Sequence, residues 1–244
     1  MGEFVLKNGW LGLGGYFFDT GLGDLVLKTT TEAKEYVCFQ PVGELYKKRL
    51  PGVGDADIAM SGYWNVETID AALKSGQNVT NTLALFGPTS PAAGSIGFLL
   101  RVMQGEYSLG GSVGEVTPFS VTAMGSAGSP ERLGKVLHYG AVSASGDGTS
   151  VTLGAVDAEQ KLYVGLAVTG KAGTSPTLDV VHETSALGDY TDAVTLHTFA
   201  QFTDRDAAYV EIAGPITDTH HRLSFTLGGS SSPSFPVVCV AAIE

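Results

Sequence analysis

Residues 49–73, RLPGVGDADIAMSGYWNVETIDAAL, constrain the fold more than any other stretch of the chain. Pro51 and Gly52 predict a tight turn, and the following segment alternates apolar residues at Ala56, Ile58 and Met60, the period of a half-buried strand. Asn65 is a suitable helix cap, after which Val66, Ile69, Ala72 and Leu73 share one helical face. The stretch therefore predicts a strand and a short helix closing one edge of a β-sheet. Alternation sends Tyr63 and Trp64 to opposite faces. Trp64 is the expected partner of Ile69 and Leu73 in the helix–sheet seam, because a large ring suits that position.

The remainder of the chain reads as mainly β. Its 244 residues include 33 glycines, and β-branched runs recur between Gly, Asp, Ser and Pro turns. In the first half, strands are expected at residues 3–7, 24–31, 36–39, 80–86, 97–104 and 115–124, and residues 10–18 read as a loop anchored by its aromatics. That loop has the glycines of GLGG but neither the Lys-Ser/Thr pair of a phosphate-binding loop nor GxGxxG spacing, so no nucleotide site is read there. The Gly-, Ser- and Pro-rich segment 125–134 is the expected domain boundary, giving domains at 1–135 and 136–244. The second holds eight expected strands, at 136–141, 149–153, 162–169, 177–184, 193–202, 208–212, 221–227 and 235–243. They suit a β-sandwich of jelly-roll or immunoglobulin-like kind.

Charge divides the halves and narrows the function. The formal net charge is −11; residues 1–135 carry 10 basic and 13 acidic side chains, residues 136–244 carry 4 and 12. Nucleic acid gripped through its phosphates needs clustered cations, which this balance does not supply. The nearly balanced first half suits contact with its own copies, and the acidic second half suits a solvated exterior. Cys38 and Cys239 lie far apart without a CxxC or a neighbouring His, so neither a disulfide framework nor a zinc site is expected. No signal-peptide pattern and no apolar run of membrane-spanning length is present, and synthesis in a reducing cytosol is the expectation.

Two constellations invite a chemical reading. Asp218, His220 and His221 form TDTHHR, and Asp179, His182 and Glu183 form DVVHE. In a strand, Asp218 and His220 share a face and His221 lies on the other, so the spacing converges no more than two donors, and structural or surface histidines are expected. Acidic turns at 145–150 and 202–208 lack EF-hand spacing. No GxSxG, HExxH or paired-carboxylate motif is present, and the chain is expected to be no enzyme, with no catalytic residues, cofactor or metal.

The wording of the central stretch resembles the major tail tube proteins of siphophages. The resemblance rests on a PG(L/V)xD turn, a strand ending SGYW(N/D) and a helix of xxTxDxxL type, and covers residues 3–135. Tyr107 and Ser108, Gly114 and the run Pro118, Phe119, Ser120 and Val121 match that family's closing strand pair, although Pro118 suggests an edge or a bulge there. The second half, through LYVGLAVTGKAGTSPTLDVVHE and ITDTHHRLSF, is similar to β-sandwich modules appended to phage virion proteins.

The resemblance implies a structural virion subunit, assembled in the host cytoplasm. Its copies would form hexameric rings that stack into a tail tube with other tail proteins, and DNA would pass through without specific binding. It implies that Glu32, Lys34, Glu35, Glu44, Lys47, Lys48 and Arg49 lie on a long hairpin or loop reaching the neighbouring ring or subunit; read without the resemblance, the same charges equally suit a solvated loop. Two rivals are a capsid decoration or receptor- or glycan-binding virion protein, and a hydrolase or lectin acting through the second half.

Overall fold

The computed structural model describes residues 9–18, 22–39, 45–63, 73, 79–88, 90–112, 115–126 and 131–244; for residues 22, 30–39 and 45–55 only the course of the backbone is described. Among these residues the protein is mainly β. The strands are β1 (Trp10–Leu13), β2 (Tyr16–Phe18), β3 (Leu22–Phe39), β4 (Leu45–Tyr63), β5 (Thr82–Gly87), β6 (Ile96–Leu109), β7 (Pro118–Gly125) and β8 (Arg132–Val142). There follow β9 (Gly146–Asp147), β10 (Val151–Thr152), β11 (Lys161–Val168), β12 (Ala172–Ser185), β13 (Val194–Thr198), β14 (Asp206–Ala213) and β15 (His220–Ile243). Every pairing is antiparallel.

The first half builds the order β3-β4-β7-β6-β5-β1-β2. Alternation sets its faces: Ala56, Ile58 and Met60 of β4, Phe119, Val121 and Ala123 of β7 and Leu100 and Val102 of β6 turn into one core with Leu11, Phe86 and Leu73. Three expectations change here. Pro51 and Gly52 make no turn but run within β4, where the register slips between Thr31 and Ala33. That slip sets two β4 residues, Gly52 and Val53, against the single Glu32 of β3, so the chain's turn signal is spent on a β-bulge. The expected strands 24–31 and 36–39 form one strand, β3, and the expected loop 10–18 is a hairpin of β1 and β2. Gly14 turns this hairpin at φ 56°, and Trp10 and Phe18 are buried in it. The expected strand at 3–7 lies outside the described residues. Pro118 opens β7, where it opposes Tyr63 and no ladder donor precedes it, while the bulge of this strand pair falls between Gln104 and Glu106 of β6.

The second half is a two-layered sandwich. The first part of β15 pairs with β12, β9 and β10, with β13 beyond β12, and its last part pairs with β11 and β8 in the other layer. The strands expected at 221–227 and 235–243 are thus one element. Between them the chain turns a corner with Gly229, Ser231 and Ser232 at φ 109°, 58° and 55°. Leu178, Val180, Leu223 and Phe225 from one layer meet Leu137, Leu162, Val164, Leu166, Phe235 and Val237 from the other.

The two halves have separate cores and a third that they share. Position 135 falls inside β8, which pairs with β6 on one side and β15 on the other. Trp10, Leu83, Leu85 and Leu99 of the first half pack with Val136, Tyr163, Val238 and Val240 of the second. A polar seam runs beside them: the Arg132 guanidinium lies 3.7 Å from the Tyr163 ring centre and pairs with Glu244 at 2.9 Å, and Arg101 lies 4.8 Å from the Tyr209 ring centre. At Gly134 of β8 a Cβ would strike the backbone carbonyl of Ala241. Gly134→Ala is therefore expected to destabilise the fold by about 1–3 kcal/mol, as overpacking against rigid backbone does; urea titration against wild type checks this.

Candidate assembly surface

The long hairpin of β3 and β4 dominates the first half. Its register runs unbroken in kind from Asp24 opposite Ser61 to Phe39 opposite Leu45, with the bulge in between. β4 continues into the sheet through β7, whereas β3 pairs only with β4 among the described residues. The 18 residues of β3 thus present a long edge of backbone donors and acceptors, the kind of edge that natural proteins cover, shorten or pair with another chain.

The sheet beside that edge has two unlike faces. The inner face carries the apolar core described above, and at it the buried Gln104 donates from Nε2 to the carbonyl of Leu73 at 2.9 Å. The outer face is laid out in rows by the register: Lys28, Asp57, Met124 and Met103; Val26, Ala59, Thr122 and Glu106; Asp24, Ser61, Ser120 and Ser108. Ser108 and Ser120 share a hydrogen bond of 2.6 Å, and Ser61 donates to Asp24 at 3.5 Å. These rows hold three carboxylates and one ammonium among neutral side chains that include the apolar Val26, Met103 and Met124.

The residues expected to reach a neighbour fall as follows. Lys34, Glu35, Lys47, Lys48 and Arg49 have backbone positions on the hairpin beyond its bulge, with Glu35 opposite Arg49, and Glu32 sits at the bulge. Glu44 lies outside the described residues. Leu73 is helical and fully buried in the first core, while Trp64 and Ile69 lie outside the described residues. Tyr63 is 59% exposed on the outer face.

In the second half the two histidine motifs meet, and the meeting was not legible from either alone. Antiparallel register sets His221 opposite Thr184, so the rings of His182 and His221 become neighbours, Nδ1 of His221 lying 3.2 Å from Nε2 of His182. Both are fully buried. Asp218 accepts from the Thr184 hydroxyl at 3.0 Å, and Asp179 accepts from Gln201. On the opposite face Arg222 pairs with Glu183 at 2.8 Å and Asp147 at 3.0 Å. Asp147 also accepts from Ser224, and Asp204 of the second acidic turn pairs with Lys171 at 2.8 Å, so these carboxylates answer protein donors. Among the described residues no group of three or more His, Cys, Asp or Glu is placed to hold a metal ion. No helix among them is long and apolar enough to cross a membrane.

No protein-family model matches the chain, and no curated protein matches it. Among solved structures it is similar to a chain of the virion of a native gene transfer agent particle, at 14% identity and TM-score 0.39, over 51% of this chain and 95% of that one. It is similar to the Dit protein of phage SPP1, described as a paradigm of the hub adsorption apparatus in phages infecting Gram-positive bacteria, at 7% identity and TM-score 0.35, over 98% and 100%. It is also similar to a chain of the phage P2 baseplate in its activated conformation with calcium, at 7% identity and TM-score 0.33, over 96% and 98%. Likenesses this distant leave the function to be argued from the chain's own geometry.

Proposed function

We propose that the protein is a structural subunit of a phage tail, a virion component whose copies close into sixfold rings that stack around a DNA channel. The observation that carries this reading is the 18-residue edge of β3, beside which one face of the sheet is buried in the first core and the other, over β3, β4, β7 and the end of β6, is left open with an excess of carboxylates. Pairing β3 with the next copy removes the edge, and a closed ring removes it for every copy at once. The outer face then lines the channel, where Asp24, Asp57 and Glu106 outnumber Lys28 and repel phosphate, so that DNA slides without being held. Leu73, buried in the first core, lies on the far side of the sheet, outside the ring.

The hairpin at and beyond the bulge, with Glu32, Lys34, Glu35, Lys47, Lys48 and Arg49, and Glu44 in the sequence between its strands, makes the contact between rings. The second sandwich, with its excess of carboxylates, joins this sheet through β8 and covers its outer face over β5 and the start of β6, which leaves the rows from β3 to β7 as the channel lining. Assembly with its own copies and with other tail proteins is the function, and no catalytic step is required of it.

Electron microscopy of the purified protein tests this reading. Stacked rings of sixfold symmetry are expected. Trimers, or lone subunits that decorate a capsid, would overturn it.

A further inference from the structure

The histidines of the second sandwich stand apart from any assembly role. His182 of β12 and His221 of β15 are wedged between the layers with their ring nitrogens 3.2 Å apart and their ring centres 5.3 Å apart. Nδ1 of His182 and Nε2 of His221 are buried with no hydrogen-bond partner among the described residues. From the facing layer, His138 of β8 meets the Phe225 ring edge-on at 4.7 Å, and its own Nε2 is likewise buried without a partner. An imidazole in such a place is accommodated neutral, because its charged form would need two donors satisfied away from water.

The groups around the pair all oppose a charge on His182 and only partly offset one on His221. His182 faces His221 from β15 and His197 from β13, its opposite in register. His221 faces Asp218, which favours its protonation, the carbonyl of Gly154, which does the same, and His220, which opposes it. In the facing layer the titratable side chains are His138, which meets Phe225, and the buried Cys239, whose thiol burial pushes up and keeps neutral. Glu183, Arg222 and Asp147 satisfy one another on the solvent face.

We propose that the second sandwich is an acid-opened module: protonation of the His182–His221 pair unseats the layer of β12, β13 and the first part of β15 from the layer of β8, β11 and β14. Burial, reinforced by the neighbouring imidazoles, lowers the pKa of His182 to about 3; burial lowers that of His221 to about 4. The sign follows: both rings are neutral when folded and titrate near 6.5 when unfolded, so their stabilisation is whole above pH about 6.5 and drains away as the pH falls toward 4 and 3. Opening exposes Leu178, Val180, Leu223 and Phe225, which the layers otherwise hide.

The test is an acid titration of the full chain, followed by dye binding to exposed apolar surface and by NMR of the histidine rings. Expected is a reversible dye-binding state between pH about 6 and 4, with two rings that stay neutral until it appears. The double variant H182L/H221L, which fills the site without titrating, is expected to lower the opening midpoint by at least about one pH unit. Two buried rings that titrate near pH 6.5 with no dye binding, or a double variant that opens at the wild-type midpoint, would overturn the proposal. Should the double variant not fold, the ring titration of the wild type decides by itself.

Discussion

Trp10→Ala is expected to lower the melting of both halves of the molecule, although the residue belongs to the first. Trp10 is fully buried, stacks on Phe17 with ring centres 5.8 Å apart, and sits in the core that draws Leu83 and Leu85 from one half and Val238 and Val240 from the other. Truncating a buried Trp typically costs about 3–5 kcal/mol, a large share of the roughly 5–15 kcal/mol by which a domain is stable. Its Nε1 has no hydrogen-bond partner among the described residues, so the ring contributes through packing alone. Trp10→Phe keeps most of that packing and removes the orphan donor, and its cost should stay below about 1.5 kcal/mol. Calorimetry of the two variants checks this: the alanine variant should shift all of the heat absorption downward. If only part of the profile moved and the transition of residues 136–244 stayed in place, the shared core would not couple the halves.

Shortening the hairpin is expected to abolish tubes while sparing rings. Replacing residues 33–50 by an Asn-Gly turn removes the extension beyond the bulge and leaves β3 and β4 paired from Leu22 to Thr31, where β4 joins β7. Lys34, Glu35, Glu44, Lys47, Lys48 and Arg49 leave with it, so contacts between successive rings lose their charges while the β3 edge beside the first core remains. Sedimentation should fall from a broad distribution of long particles to a single ring-sized species, with circular dichroism retaining its β signal. Tubes of normal length from the shortened chain would show that these residues do not join rings. Tubes that dissolve as salt rises, in the full-length chain, would add that the contact is ionic.

Where local rules decide conformation, the sequence was legible. Alternation placed Ala56, Ile58 and Met60 inward on β4, and the first six expected strands of the second half each match a strand bounded by its own turn residues, while the last two are the two ends of β15. It misled where a long-range pairing overrode a local signal. Pro51 and Gly52 are turn residues by any local measure, yet sixteen paired positions along β3 and β4 carry the strand through them as a bulge. The Gly228 to Pro233 segment likewise reads as a loop, but pairing with Ala172 and Thr174 on β12 holds it as the corner of one continuous strand. The segment 125–134 has the composition of a linker, and composition says nothing of the partners that β8 finds on β6 and β15. Among the site residues, alternation separated His220 from His221, but nothing local revealed that His221 would meet His182, 39 residues earlier, since only the β12–β15 register brings them together.

The central claim is that the edge of β3 is where one copy meets the next. Hydrogen exchange along Leu22–Phe39, compared between the dilute protein and its assembled form, tests that claim most directly. Pairing on β4 alone leaves alternate amides of β3 open to solvent, and pairing with a second copy closes them. These alternate amides, fast in the dilute protein, are expected to become slow on assembly while those of β6 and β7 change little. Alternate β3 amides that exchange as fast in the assembly as in the dilute protein, or a protein that stays monomeric at every concentration, would contradict it.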